Sequence, residues 1–249
     1  MGEERKAALR NISLNVAYGE VFGIVGESGS GKSTLVRSLL RLHEPDAGSV
    51  QIAGLDVMRL DTEQLRIRLR RVARLMYQHP DSSLNPGMTV RDILLQCTRL
   101  HRSDLDDVSA LKEILDFLES VGLDGSYLGR WPGGLSGGEK RRIAMCRSLL
   151  SRPRVLFADE PTSGLDAATQ ESFLRVLIRL KEQLKLTVVV ISHDLGLIGR
   201  ICNRVAVMKA GEIVDTLNRE QILRRESNHA YVRDLLAAHL KLSDLQAEP

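Results

Sequence analysis

Gly26-Glu27-Ser28-Gly29-Ser30-Gly31-Lys32-Ser33 decides the reading of this sequence. The octet fits G-x-x-x-x-G-K-[ST], with Thr34 directly after it. It follows the apolar run VFGIV at 21–25 and opens the helical pattern STLVRSLL. That strand–loop–helix order is the context the motif requires. Glycines let the backbone curl so that successive N–H groups point inward, and the helix adds the positive end of its dipole. In such a loop Lys32 reaches the β- and γ-phosphates of a nucleotide, and the Ser33 hydroxyl ligates Mg²⁺. A magnesium carboxylate then belongs at the end of a nearby strand. Val155-Leu156-Phe157-Ala158-Asp159 supplies it, because an Asp directly after an apolar strand lies at the carboxyl edge of the sheet, where α/β folds bind ligands. Glu160 follows, placed to polarise the attacking water as general base. An isolated Asp-Glu pair reads as a solvated turn; beside a phosphate loop it reads as catalytic.

The rest of the composition narrows the class. The chain has 249 residues, 43% hydrophobic and 27% charged, enough for a buried core and too apolar for a disordered chain. It contains no run of 18 apolar residues and no apolar stretch of secretory type near the start. A net charge of +3 from 35 basic and 32 acidic residues is too even to point to nucleic acid. Cys97, Cys146 and Cys202 are far apart with no CxxC pairing, which reads as buried thiols in a reducing compartment.

Working outward from the loop, the helical pattern runs through SLLRLHEP and is expected to stop at Pro45. GSVQIAG alternates like a strand, 62–74 has helical spacing, and LMYQ at 75–78 is a second short strand. VRDILLQCTRL, VSALKEILDFLESVGL and KRRIAMCRSLL are helical, interrupted by WPGGLSGGE. ATQESFLRVLIRLKEQL is a further amphipathic helix, and LTVVVIS is a strand buried on both faces. HDLGLIGRIC is a short helix and NRVAVMKAGEIVD a hairpin. Buried strands alternating with helices predict an α/β parallel sheet. The expected organisation is one domain over 1–249: a nucleotide-binding α/β core (1–78 and 151–220), an inserted helical subdomain (79–150) and a peripheral helical tail (221–249).

Leu135-Ser136-Gly137-Gly138-Glu139 resembles the signature sequence of ABC ATPases, a branch of the P-loop NTPases. It lies between the phosphate loop and VLFADE, in that family's order. Gln78 matches the Q-loop glutamine, Ser163-Gly164-Leu165-Asp166 the D-loop and His193 the switch histidine. These six elements stand in one order across residues 19–211. The resemblance implies ATP with Mg²⁺ as ligands, Ser33, Gln78 and Asp159 around the metal, and Glu160, Lys32 and His193 as catalytic residues. It also implies a head-to-tail dimer with a second ABC ATPase subunit, in which Ser136, Gly137, Gly138 and Glu139 of one subunit meet ATP held by the other.

A narrower likeness, carried by GESGSGKSTL, QHPDSSLNPGMTV, DEPTSGLD, ISHDLGLI and SNHAYVRDLLAA, points to the peptide/nickel branch of importer ATPases. It implies uptake of peptides or of nickel and metal chelates. The implied partners are two transmembrane permeases and an external solute-binding protein, with the chain peripheral on the cytoplasmic face of the membrane. A permease helix would dock near the Q-loop, with SSLNP at 82–86 as one wall. The alternative is a soluble ABC ATPase of a multi-enzyme complex such as carbon–phosphorus lyase.

Several features depart from the family or compete with it. No aromatic residue precedes the loop where the family stacks adenine; Tyr18, in the turn AYGE, stands too close. The tail lacks the Cys/Pro-rich extension of some members, so no iron–sulfur cluster is expected, and Glu139 replaces the more usual Gln. Arg66, Arg68, Arg70, Arg71 and Arg74 are expected to form a solvated helix face with acidic partners, because aromatics for base stacking are absent. Lys140, Arg141 and Arg142 are expected to support phosphate electrostatics or to solvate their helix. His79 reads as a loop residue and Trp131 as packing for the helical subdomain.

Overall fold

The computed structural model describes residues 7–102 and 104–245, with backbone alone from 239 onward. The stretch GEERK at 2–6 and the end of the tail at 246–249 lie outside the described residues. The first elements are β1 (Val21–Val25) and α1 (Lys32–Leu39), then the short hairpin strands β2 (Gln51–Ile52) and β3 (Leu55–Asp56). Next come α2 (Thr62–Gln64), a π turn (Leu65–Leu69), α3 (Arg70–Val72) and β4 (Ala73–Met76). Three helices follow: α4 (Val90–His101), α5 (Asp107–Ser120) and α6 (Gly137–Leu149). The chain re-enters the sheet as β5 (Val155–Asp159), α7 (Ala167–Leu184), β6 (Thr187–Ser192), α8 (Leu195–Gly199), β7 (Arg204–Lys209) and β8 (Glu212–Asn218). It ends with α9 (Arg219–Arg224) and α10 (Ala230–Leu245).

The main sheet has strand order β4-β5-β6-β1-β7-β8. Its β1–β6, β1–β7, β4–β5 and β5–β6 pairs are parallel, and only β8 runs antiparallel, against β7. All residues of β1 and β6 are buried, as expected for parallel strands covered on both faces. One core face gathers Phe22, Ile24, Leu35, Phe157 and Ile191; the other joins β1, β5 and β6 to α4–α8 and α10. Gly23 permits close helix–strand approach: a Cβ there would lie 2.9 Å from Val205 Cγ2 and 3.1 Å from Cys202 Sγ. The thiols of Cys97, Cys146 and Cys202 are all buried and free.

The α/β parallel reading therefore holds, while several boundaries move. α1 stops at Leu39, well before Pro45, because Arg41 adopts φ 46° and turns the chain. GSVQIAG contributes only β2, since Ala53 and Gly54 at φ 51° and 83° reverse it into β3. The 62–74 helix is widened by the π turn and ends at Val72, and the following strand is 73–76, not 75–78. The tail is less peripheral than expected. Val232 and Leu236 of α10 are buried in the core, and the helix packs on α8.

Candidate nucleotide-binding site

Adjacent strands β4, β5, β6 and β1 all end at one edge of the sheet, and each leads directly to a residue singled out above. β1 feeds the phosphate loop, β5 ends on Asp159 and Glu160, β6 leads to His193, and β4 leads to Gln78. This is the carboxyl edge at which open α/β sheets hold ligands.

The phosphate loop is shaped by its glycines. Gly29 and Gly31 stand at φ 79° and 102°, in the left-handed region that side chains disfavour. Gly26 passes so close to β7 that a Cβ would lie 2.2 Å from the Met208 carbonyl oxygen. Ser30 N–H donates to Glu27 O at 3.1 Å, and Gly211 N–H donates to Ser30 O at 3.0 Å. Lys32 is buried, and its Nζ donates to the carbonyls of Gly26 and Glu27 at 2.7 and 2.9 Å. Burial lowers its pKa, against the pull of Glu160 and Asp159, which favour the cation. Ser28 is exposed, and Thr34 sits half-buried in the first turn of α1.

Asp159 is buried, and its Oδ1 accepts from Ser33 Oγ at 3.0 Å. Burial raises its pKa; the Ser33 hydrogen bond, Arg37 and Lys32 oppose that rise, and Glu160 adds to it. These two oxygens form a hard donor set of the kind that suits a magnesium ion completing its shell with phosphate and water. Glu160 adopts φ 46°, a conformation that costs a non-glycine residue roughly 1 kcal/mol, and its N–H is fixed to Ile191 O at 2.9 Å. Its carboxylate faces His193, whose Nδ1 lies 2.9 and 3.0 Å from the two oxygens. The structure thus brings Lys32, Ser33, Asp159, Glu160 and His193 together.

The signature segment is built differently. Ser136 caps α6: its Oγ accepts from Glu139 N–H at 3.3 Å, while Glu139 Oε2 accepts from Ser136 N–H at 2.7 Å. Tyr127 donates to the other Glu139 oxygen at 2.6 Å. These bonds, Tyr127 first, hold the Glu139 carboxyl below its usual range. Both Glu139 oxygens are thereby occupied within its own subunit. Asp166 is similarly engaged, accepting from Thr169 N–H and Oγ1 at 3.0 and 2.6 Å as the N-cap of α7.

Some sequence expectations change. Arg141 neither solvates its helix nor faces open solvent. It is buried, and its guanidinium donates to the carbonyl of Ser163 and, at 3.4 Å, to that of Gln78. It therefore ties α6 to both neighbouring loops, a role hidden in a run of three basic residues. Arg142 bonds the Val121 carbonyl and Ser172 Oγ, and Lys140 pairs with Asp81 at 2.8 Å. The arginine run is not one solvated face. Arg70 donates to Leu40 O at 2.9 Å and Arg74 to Ser151 Oγ at 2.8 Å, with no carboxylate paired to either among the described residues. Burial lowers both pKa values.

Arg70 and Arg74 border a cleft of about 1090 Å³ between β4 and α4, with Arg91, Arg99 and Arg147 along it. His101 on its wall is pushed down to about 4 by burial and by Arg74, Arg147 and Arg71. Residues 82–86 do not line this cleft, which Tyr77 and Met88 border, and Leu84 is buried in the core. Trp131 is about half exposed, and Tyr18 faces Arg154, 6.0 Å from its ring centre.

With this geometry in place, the molecule is a nucleotide-binding cassette. The ABC transporter family model matches residues 9–163, and the chain belongs to that family. Relatives include the oligopeptide transport ATP-binding protein OppF of Streptococcus mutans, 36% identical across 93% of this chain and 74% of that protein. The methionine import ATP-binding protein MetN of Cupriavidus necator is 38% identical over 96% of this chain and 69% of its own length. Among solved structures, the dimeric post-hydrolysis state of the cassette MJ0796 bound to ADP and Pi superposes with a TM-score of 0.79. It is 32% identical and covers 88% of this chain and 94% of its own. The chain is an ATP-binding ATPase of the transport type. No helix among the described residues is long and apolar enough to cross a membrane.

Proposed function

We propose that this chain is the ATP-hydrolysing subunit of an importer for peptides or for nickel and other metal chelates, acting at the cytoplasmic face of the membrane as one half of a head-to-tail dimer. The observation that carries the reading is the junction of Ser33, Asp159, Glu160 and His193 on neighbouring strand ends.

In this reading Gly26 through Thr34 cradle the nucleotide phosphates, and Lys32 exchanges its carbonyl partners for the β- and γ-phosphates. Ser33 and Asp159 hold Mg²⁺, with Gln78 nearby, and the ion neutralises phosphate charge when bound. Glu160 takes the proton of the attacking water. His193 orients that carboxylate and contacts the γ-phosphate. Ser136, Gly137 and Gly138 present backbone N–H groups and a helix end to ATP on the partner subunit. Glu139 keeps that loop in shape, and Asp166 sets the start of α7 beside it. The names of the relatives support import, and the dimeric neighbour supports pairing.

Two transmembrane permeases are the partners of this dimer, with an external solute-binding protein acting through them. The cleft beside Arg74 and Tyr77 is the docking place for a permease segment, since exposed Leu42, Tyr77 and Leu100 border it together with the arginines.

Purification of the tagged protein from detergent-solubilised native membranes tests this. Two integral permeases should copurify, and their identity narrows the solute. A soluble complex of metabolic enzymes without a permease would overturn the importer reading in favour of the lyase-type alternative.

A further inference from the structure

The histidine–tyrosine motif of the tail has no part in the chemistry above, yet the structure sets it against the phosphate loop. Tyr231 lies in the first turn of α10, beside Val232, which is fully buried. The Lys209 ammonium stands 4.2 Å from the centre of the Tyr231 ring. Lys209 ends β7, next to Met208, whose carbonyl closes on Gly26, and two residues before Gly211, which donates to Ser30 O. The β7–β8 turn is thus a bracket, with the phosphate loop on one side and the tail on the other.

Among the described residues the Tyr231 hydroxyl is buried with no well-formed hydrogen bond, while the side chain and backbone of Glu27 stand within reach of it. The pKa of Tyr231 is raised by burial and then by the charge of Glu27, the second residue of the phosphate loop. The His229 ring meets Tyr231 edge-on with centroids 6.4 Å apart. His229 N–H is anchored to Ser227 Oγ at 3.0 Å, and Ser227 in turn donates to Asp215 of β8. The motif is therefore fixed to the β7–β8 hairpin from both ends.

We propose that Tyr231 is a positioning residue for ATP: it braces the phosphate loop through Glu27 and Lys209, so that the C-terminal helix sets part of the nucleotide affinity. This rests on the ATPase reading of the same loop. A buried hydroxyl without a well-formed hydrogen bond is unfavourable. Glu27 is the acceptor beside it, and closing the loop around phosphate completes that hydrogen bond. The benefit falls on binding and not on the chemical step.

The test uses the full chain and its Tyr231→Phe variant, which keeps the ring over Lys209 and removes one oxygen. Equilibrium binding of a fluorescent ATP analogue, the KM and kcat for ATP, and the melting temperature without nucleotide are measured. We expect Kd and KM to rise by about threefold to tenfold, with kcat and melting temperature unchanged. Combining Tyr231→Phe with Glu27→Ala should do no more than the stronger single change, because both remove one interaction. Unchanged Kd in Tyr231→Phe, or independent effects in the double variant, would overturn the proposal. A fall in melting temperature with kcat and KM both impaired would assign Tyr231 a structural role and equally overturn it. Failure of the unmodified chain to bind the analogue would instead overturn the ATPase reading itself, and this proposal with it.

Discussion

The molecule holds two glycine-rich loops that each open a helix, and they are made in opposite ways. The phosphate loop is anchored at both ends: Gly26 touches the β7 backbone, Gly31 stands near Ala8 and Leu9, and Lys32 folds inward, while Glu27 to Gly29 stay exposed between them. The signature loop is open. Beyond its own helix and chain neighbours, nothing among the described residues lies within 4 Å of a Cβ placed on Gly137, and only Thr169 Cγ2, at 3.6 Å, lies near one on Gly138. The first loop needs glycine for its own fold. The second has room for side chains in this subunit; in the reading proposed here its glycines serve a phosphate on the partner subunit, so that one loop is a whole site and the other half of one.

The strongest way to sharpen that contrast is to stop hydrolysis without emptying the anchored site. Glu160→Gln should lower turnover by about 10²–10⁴-fold while ATP binding stays. An ATP-dependent dimer should then accumulate, visible by size exclusion with light scattering. Adding Ser136→Ala to that variant should weaken the dimer and leave binding by the monomer intact. Turnover near the unmodified rate in Glu160→Gln would remove Glu160 as the base. An undiminished dimer in the double variant would remove the second loop from the interface.

The two loops should also respond unequally to one added methyl. Gly26→Ala forces a Cβ into the Met208 carbonyl, and we expect a loss of about 1–3 kcal/mol in unfolding free energy together with weaker ATP binding. Gly137→Ala meets no described atom beyond its own helix and chain neighbours and should leave chemical stability within about 0.5 kcal/mol. Its turnover should still fall, because close backbone approach to a phosphate on the other subunit is lost. Equal destabilisation by both changes, measured in urea, would break the comparison.

The sequence was informative where one residue type is the only solution. The phosphate-loop glycines, Asp159 at a strand end and the all-apolar β6 follow from spacing and periodicity, and the parallel sheet follows from them. What stayed hidden depends on contacts distant in sequence. The buried seat of Arg141 requires knowing that the loops at 78 and 163 converge on α6. The left-handed backbone of Glu160 has no local signal, since nothing in Asp-Glu-Pro announces φ 46°. The strand of GSVQIAG shrank because two positive-φ residues turned it, and the tail became core because Val232 found α8.

The smallest expected effect concerns how the open loop keeps its shape. Glu139 holds Ser136 N–H with one oxygen and the Tyr127 hydroxyl with the other, while Arg130 stacks over the Tyr127 ring at 4.0 Å and lies 3.8 Å from Glu139. Tyr127→Phe keeps the stack and removes the donor. Global stability should fall only slightly, since the group is on the surface and Arg130 remains to pair with the carboxylate. The pH dependence is more revealing. Tyr127 is the largest cause of the lowered Glu139 pKa, and a lowered carboxyl supports the fold above its unfolded pKa and loses that support as pH falls through its folded value. Without Tyr127 the folded value rises toward the ordinary one, so less support remains to be lost. The acid-side fall in turnover should then begin at a higher pH in the variant, as a pH–rate profile would show. Superimposable profiles would mean that the Ser136 cap alone shapes the loop, and that the open half-site depends on its helix and not on the tyrosine behind it.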